Sequence, residues 1–129
     1  YPSHATVEED LRRAQCYVGE QEGRVVATFV LAQGLDRTYA HIWQGEWLDN
    51  ERPYCVIHRI AADETQHGVF AEVMAFCKER ATNLRIDTHR DNAPMLHNIR
   101  KHGFEYCGVI HTDNGSERLA FQWLLTETY

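Results

Sequence analysis

Two strand-like runs, "YCVIHRIAA" at 54–62 and "LRIDTH" at 84–89, stand on either side of one helix-like run, and this order constrains the fold more than any other feature. Both runs are rich in β-branched and apolar residues, as interior strands are. Between them Val69, Phe70, Val73, Met74, Phe76 and Cys77 recur at helical spacing, which predicts a helix over 68–80. A strand, a crossover helix and a second strand in one sheet must run parallel with a right-handed connection. The chain therefore holds a β-α-β unit at its centre.

The flanking sequence adds antiparallel pieces. Residues 16–20 and 24–33 read as strands joined by "QEG", and "FEYCGVIHT" and "ERLAFQWLL" read as strands closed by "DNGS". Thr6 with Glu9 is a capping-box pattern, followed by an apolar stripe of Val7, Leu11 and Ala14. Asp91 or Asn92 can cap a further helix, with Pro94 in its first turn and Gly103 at its end. From 34 to 52 no period holds, although the spacing of Tyr39, Trp43 and Trp47 would align them on one helical face. The expected order is α-β-β-β-α-β-α-β-β. It gives an α/β (α+β) fold, a mixed sheet with a central parallel β-α-β unit, flanking hairpins and helices on both faces. No linker, repeat or low-complexity segment divides residues 1–129, so one domain is expected.

Charge and composition narrow the function. Thirteen Lys and Arg stand against 19 Asp and Glu, a formal net charge of -6 spread along the chain, which disfavours a nucleic-acid partner. The longest apolar run, 25–32, falls far short of the roughly 20 residues that cross a bilayer. No signal peptide is recognisable and no membrane association is expected. Cys16, Cys55, Cys77 and Cys107 form no CxxC pair and sit among apolar neighbours, so they read as free thiols of a reduced, cytoplasmic protein. The eight histidines show no metal-ligand spacing, and no metal is expected.

The chemistry gathers where the central strand meets its helix. In "DETQHGVF", Gly68 stands where the unpaired N–H groups of a helix start point outward, a ready site for an anion. The same glycine also suits a plain strand-to-helix turn, and the spacing does not separate the two readings.

The arrangement of "VIHRIA" leading into "QHGVFAEVMAFC", then "RIDTHRDNAPM", "KHGFEYCGVI" and "GSERLAF", resembles the GNAT superfamily of N-acetyltransferases over most of the chain. That resemblance implies acetyl-CoA, or CoA, along the fourth strand of the family and at the helix start after it. Ile60 and Ala62 would meet the pantetheine amides through their backbone. Gln66, His67, Gly68, Val69 and Phe70 would cradle the pyrophosphate, and Asn92 would touch the cofactor from the next helix. The sequence departs from the family at several points. Thr65 stands at the leading basic or amide position of the loop, Phe70 at its final small position, and the loop is about two residues short. Ile99 stands where many members carry a tyrosine that serves as general acid. The family's first strand and helix are not found, and the chain opens at Tyr1 without a methionine, which reads as a fragment.

For the base, the resemblance points to the same strand, where His58 is the residue able to titrate near neutral pH. His89, at the end of the adjacent strand, is the second candidate. Arg59 and Asp87 are expected to pair across the two parallel strands, with an Arg fork for a substrate carboxylate as the other reading of Arg59. Tyr39, Trp43 and Trp47 either wall a pocket for a cationic amine or pack a long loop onto the sheet. The resemblance implies an acetyl-CoA-dependent N-acetyltransferase acting on a primary amine of a small molecule or peptide. The alternative is an inactive acyl-CoA-binding or regulatory module of the same fold. A homodimer is compatible with either.

Overall fold

The computed structural model describes residues 14–34, 37–63, 65 and 68–126. The expected first helix, with its Thr6–Glu9 capping box, lies outside the described residues. Six strands form one sheet: β1 (Ala14–Gln21), β2 (Arg24–Gln33), β3 (Cys55–Ala62), β4 (Asn83–Thr88), β5 (Glu105–His111) and β6 (Glu117–Leu124). Their spatial order is β1-β2-β3-β4-β6-β5. The pair β3/β4 is parallel and the other neighbours are antiparallel, as the β-α-β unit and the two hairpins require. Two helices are described, α1 (Val69–Arg80) between β3 and β4 and α2 (Ala93–Lys101) between β4 and β5.

Both helices follow their sequence signals. The apolar positions of α1 place Val69, Val73, Met74 and Cys77 inward, against Val26, Phe29, Ile57, Leu84, Ile86 and Phe121 of the sheet. Each such side chain, moved out of water, contributes about 1.5–3 kcal/mol. Lys78 and Arg80 lie in the last turn of α1, where positive charge suits the helix dipole, and Arg80 Nη1 donates to Phe76 O at 3.2 Å. In α2 the Asn92 carboxamide caps the start by accepting from Met95 N at 3.3 Å, with Pro94 in the first turn. Ile99 of α2 is fully buried in the same core.

The opposite face of the sheet is covered by the segment between β2 and β3. Here the structure differs from the expectation of a helical face carrying Tyr39, Trp43 and Trp47. Only Arg37–Tyr39 makes a 3-10 turn, and the following residues are irregular. Tyr39 and Trp47 are buried on Val56, Cys107, Ile110 and Ala120, whereas Trp43 is 47% exposed. The backbone of Trp43 pairs instead with Val109, each N–H donating at 2.8 Å to the other carbonyl. Gly45 makes this approach feasible, because a Cβ there would lie 1.9 Å from Cys107 O.

A buried polar network fastens this segment down. Gln122 Nε2 donates to Asn83 Oδ1 at 2.7 Å and to Asp49 O at 3.0 Å, and its Oε1 accepts from Leu48 N at 2.8 Å. Arg85 Nη2 donates to Asp49 O at 3.0 Å and to Asn50 Oδ1 at 3.1 Å. The Arg85 guanidinium is sandwiched between the rings of Trp47 (3.9 Å) and Tyr54 (3.8 Å). Burial pulls its pKa down from the usual arginine value, but a guanidinium keeps its charge in proteins. Its Nε and Nη1 meet no hydrogen-bond acceptor among the described residues.

Two outcomes follow from this packing. Gln122→Ala leaves the Leu48 N–H and the buried Asn83 Oδ1 without their partner, and should destabilise the fold by about 2–4 kcal/mol in urea unfolding. The thiols should divide as well. Cys16 is exposed, whereas burial pushes the Cys77 thiol up to about 12 and raises Cys55 and Cys107. At pH 8 a disulfide reagent should therefore react fastest with Cys16, more slowly with the half-buried Cys55, and with Cys77 and Cys107 only on unfolding, as a colorimetric thiol titration would record.

Candidate functional site

The central strand is interrupted in its last third. Val30 of β2 lies opposite His58, but Thr28 lies opposite Ala61, so β3 carries one extra residue between these pairs. Arg59 takes up the difference in a left-handed conformation, φ 53°, uncommon for a residue with a side chain. The bulge changes which side chains meet the helices: Ile57 faces them before it, and Ile60 and Ala62 pack on the same core after it.

Next to this bulge the parallel ladder ends. Cys55 pairs with Leu84 and Val56 with Arg85, and there the β3/β4 register stops. β4 instead continues along β6 as far as Thr88 opposite Leu119. The edge of β3 beyond Val56 thus faces a gap rather than a neighbouring strand. Such an edge keeps backbone donors and acceptors for another partner.

The gap widens into a cleft of about 690 Å³ lined by Ile60, Ala61, Ala62, Gly68, Phe70 and Asn92, among others. At its head is the start of α1. Gly68 has φ 81° and ψ 2°, and among the described residues no side chain caps the helix. A Cβ at Gly68 would meet nothing within 4 Å, so the backbone conformation rather than lack of space calls for glycine. The uncapped N–H groups of this first turn and the helix dipole favour an anion. Lys101 and His102 line the same cleft. Burial, with Lys78 and Lys101 nearby, lowers the His102 pKa.

The structure brings together most of the cofactor residues expected from the sequence. Ile60, Ala62, Gly68, Val69, Phe70 and Asn92 all line this cleft. Gln66 and His67 lie outside the described residues. Phe70, which stands where a small residue was expected, turns its ring to His102, 5.4 Å between centroids, and so lies against the end of α2. Ile99 is core and presents no acid to the cleft.

The two candidate bases are placed differently. His58 lies half-buried before the bulge, its ring 6.2 Å from that of Tyr39, and lines neither cleft described here. His89 is exposed at the end of β4, where its Nδ1 accepts from Asp91 N at 3.1 Å. It lines a smaller cleft of about 300 Å³, continuous with the first through Ile60, Asn92 and Met95.

That smaller cleft contains one charged residue the sequence did not single out, Arg118. Asp87 and Arg118 line it together with Arg59. The expected ladder pair of Arg59 with Asp87 does not form, because the strands have parted and the bulge has turned Arg59. Asp87 accepts instead from the Tyr39 hydroxyl, and Arg118 Nε lies 4.0 Å from its second oxygen. Strand alternation in "RIDTH" could have placed Asp87 on the face of Arg85. Nothing in the irregular segment around Tyr39 would have disclosed its partner.

Among the described residues no group of three His, Cys, Asp or Glu side chains could hold a metal ion. No described helix is long and apolar enough to cross a membrane.

No protein-family model and no curated protein matches the chain. Solved structures do. A GNAT-family acetyltransferase from Streptococcus agalactiae superposes with a TM-score of 0.82 and 28% identity, over 98% of this chain and 75% of that one. An acetyltransferase from Bacillus subtilis in complex with CoA gives 0.68 and 19%, over 97% and 86%. A GNAT-family acetyltransferase from Elizabethkingia anophelis with acetyl-CoA bound gives 0.64 and 17%, over 96% and 84%. The six-stranded mixed sheet with its parallel β3/β4 pair is thus the fold of the GNAT acetyltransferases.

Proposed function

On the GNAT fold, we propose that this chain is an acetyltransferase that binds acetyl-CoA in the larger cleft and transfers its acetyl group to an amine. The carrying observation is the continuity of two features: the edge of β3 at Ile60 and Ala62, past the end of the β3/β4 ladder, runs toward the start of α1, which no described side chain caps. An extended arm with amide groups suits the first, and a pyrophosphate suits the second.

The residues present fit such a ligand. The strand edge at Ile60 and Ala62 offers backbone groups to the pantetheine arm. The start of α1, at Gly68, Val69 and Phe70, offers backbone N–H groups to the phosphates, and Lys101 adds a positive charge to the same cleft; Gln66 and His67, next in the sequence, belong to the same proposed cradle. Asn92 lines both clefts and would contact the arm between them. When bound, acetyl-CoA supplies an acyl thioester, whose carbonyl carbon the amine attacks and whose thiolate leaves without needing a protein acid. Ile99 at the family's tyrosine position is consistent with that. Either His58, the candidate on β3, or His89, the one that lines the smaller cleft, takes the amine proton, and N–H groups of the strand edge stabilise the oxyanion.

Two measurements test this. CoA should raise the melting temperature of the protein, because a ligand of the native state stabilises it by mass action. Gly68→Glu should abolish the shift, since it brings a carboxylate to the phosphate end; a shift that persists would place the site elsewhere. His58→Ala should lower turnover of a reactive amine by roughly 10²- to 10⁴-fold, the usual worth of a positioned base, while CoA affinity by calorimetry stays unchanged. Full activity in that variant would reassign the base to His89 or water. CoA binding without transfer to any amine of a broad panel would favour the binding-module reading.

A further inference from the structure

We propose that the donor site takes acyl groups longer than acetyl, propionyl and butyryl above all, with the acyl chain lying in the smaller cleft against Ile57, Ile60, Ile86 and Met95. The proposal rests on the acetyltransferase reading and adds the chemical class of the acyl chain to it.

The first observation is what stands where the sheet parts. Cys55/Leu84 and Val56/Arg85 are the pairs of the parallel ladder, so Ile57 and Ile86 occupy the positions of the next pair. Both are 2% exposed and belong to the core beneath the helices. They line the smaller cleft, about 300 Å³, together with Ile60 of β3 and Met95 of α2, which pack on the same core. The gap between the strands therefore has an apolar floor on its helix side. Asp87 follows Ile86 on β4 and so belongs to the opposite face of the sheet. There it accepts from the Tyr39 hydroxyl and lies 4.0 Å from Arg118 Nε. His89 is exposed at the end of the strand.

The second observation is continuity. The smaller cleft joins the larger through Ile60, Asn92 and Met95. A pantetheine arm with its phosphates at Gly68 and its amides at Ala62 and Ile60 runs back along β3, and the next helix-facing residue on that path is Ile57. The thioester end of the arm thus arrives where the two clefts meet, and what it carries lies over the apolar floor. An acetyl methyl covers little of that floor. Each further methylene laid on it leaves water for apolar surface, and Met95, unbranched and polarisable, adapts to chains of different length. The acceptor comes from the polar side, by Asp87, so chain and amine do not compete for one wall. The transfer keeps its chemistry. The amine nitrogen bonds to the acyl carbon, the C–S bond breaks with its electron pair leaving on the CoA thiolate, and the amine proton passes to the base.

The test measures affinities of CoA and of acetyl-, propionyl- and butyryl-CoA by calorimetry, and kcat/KM of the thioesters with one reactive amine. Affinity should rise about 4-fold for each added methylene, the worth of burying one, and kcat/KM for propionyl- and butyryl-CoA should equal or exceed that for acetyl-CoA. Met95→Trp, which fills the junction, should lower the butyryl-to-acetyl ratio of both quantities by about 10-fold or more. Met95→Ala, which widens it, should extend the preference to hexanoyl-CoA. Ratios within one variant cancel any general loss of folded protein. In methyl NMR, the Ile57 and Ile86 signals should move with butyryl-CoA beyond their positions with CoA. Acetyl-CoA bound and used best, or a length preference that both Met95 variants leave unchanged, would overturn the proposal and leave an acetyltransferase. Indifference to acyl length together with a preference for apolar acceptors would assign the floor to the acceptor and overturn it equally. Length-dependent binding without transfer to any amine would uphold the acyl site and sink the acetyltransferase reading. Failure of CoA and of every thioester to bind would sink both.

Discussion

Two residue pairs join the halves of this sheet. β1, β2 and β3 form one antiparallel block and β4, β6 and β5 another, and between them only Cys55/Leu84 and Val56/Arg85 are paired. A junction this short cannot hold two blocks in register by backbone hydrogen bonds alone, since each contributes about 1 kcal/mol net. Side chains supply the rest. On one face α1 and α2 bridge the gap, with Met74 and Cys77 in the same core as Ile57 on one block and Leu84 and Phe121 on the other. On the opposite face Arg85, at the last paired position, clamps Tyr54 at the mouth of β3 and Trp47 of the covering segment. The sheet is closed at this end so that it can stay open at the other.

The open end depends on a compromise in β3. A regular strand with Arg59 in the β region would carry its alternation through Ala62 and could continue to pair with β4. The extra residue at the bulge costs local strain and a lost stretch of ladder. In exchange, Ile60 and Ala62 return to the helix side, and a strand edge is left free beside the N-terminus of α1. The burial that offsets this cost lies in the core under the helices, in Phe29, Val73, Met74, Leu84, Ile99 and Phe121. The left-handed Arg59 and the end of the parallel ladder thus fall together beside the larger cleft.

This division explains what could be read from the sequence. Where structure follows from local chemistry, the residues announced it. The apolar period of 69–77, the cap at Asn92, the two hairpin turns and the β-α-β order all appear as expected. Gly68 was legible because a left-handed residue before a helix leaves a glycine in the sequence. The bulge at Arg59 was not, because an arginine in αL carries no such mark. Nor was the partner of Asp87, since Tyr39 reaches it from a segment without a period, across 48 positions of chain. The spacing of Tyr39, Trp43 and Trp47 suggested a helix, but long-range contacts override local spacing: Trp43 pairs its backbone with Val109, and Leu48 and Asp49 are captured by Gln122.

The two faces of the gap differ in a way that bears on how two substrates meet. The helix side is apolar along Ile57, Ile60 and Ile86 and ends at the positive start of α1, which suits a long ligand with an anionic head. Beyond the splay the wall becomes polar, with Asp87 and Arg118 adjacent and Tyr39 behind them. His58 comes before the bulge and packs on Tyr39, whereas Ile60 and Ala62 come after it and pack with the helices. One strand therefore faces the polar side with its first half and the larger cleft with its second. A fully paired β3 would separate these two surfaces by a continuous sheet. The gap joins them within a few residues, and that juxtaposition is what a transfer between two separately bound molecules requires.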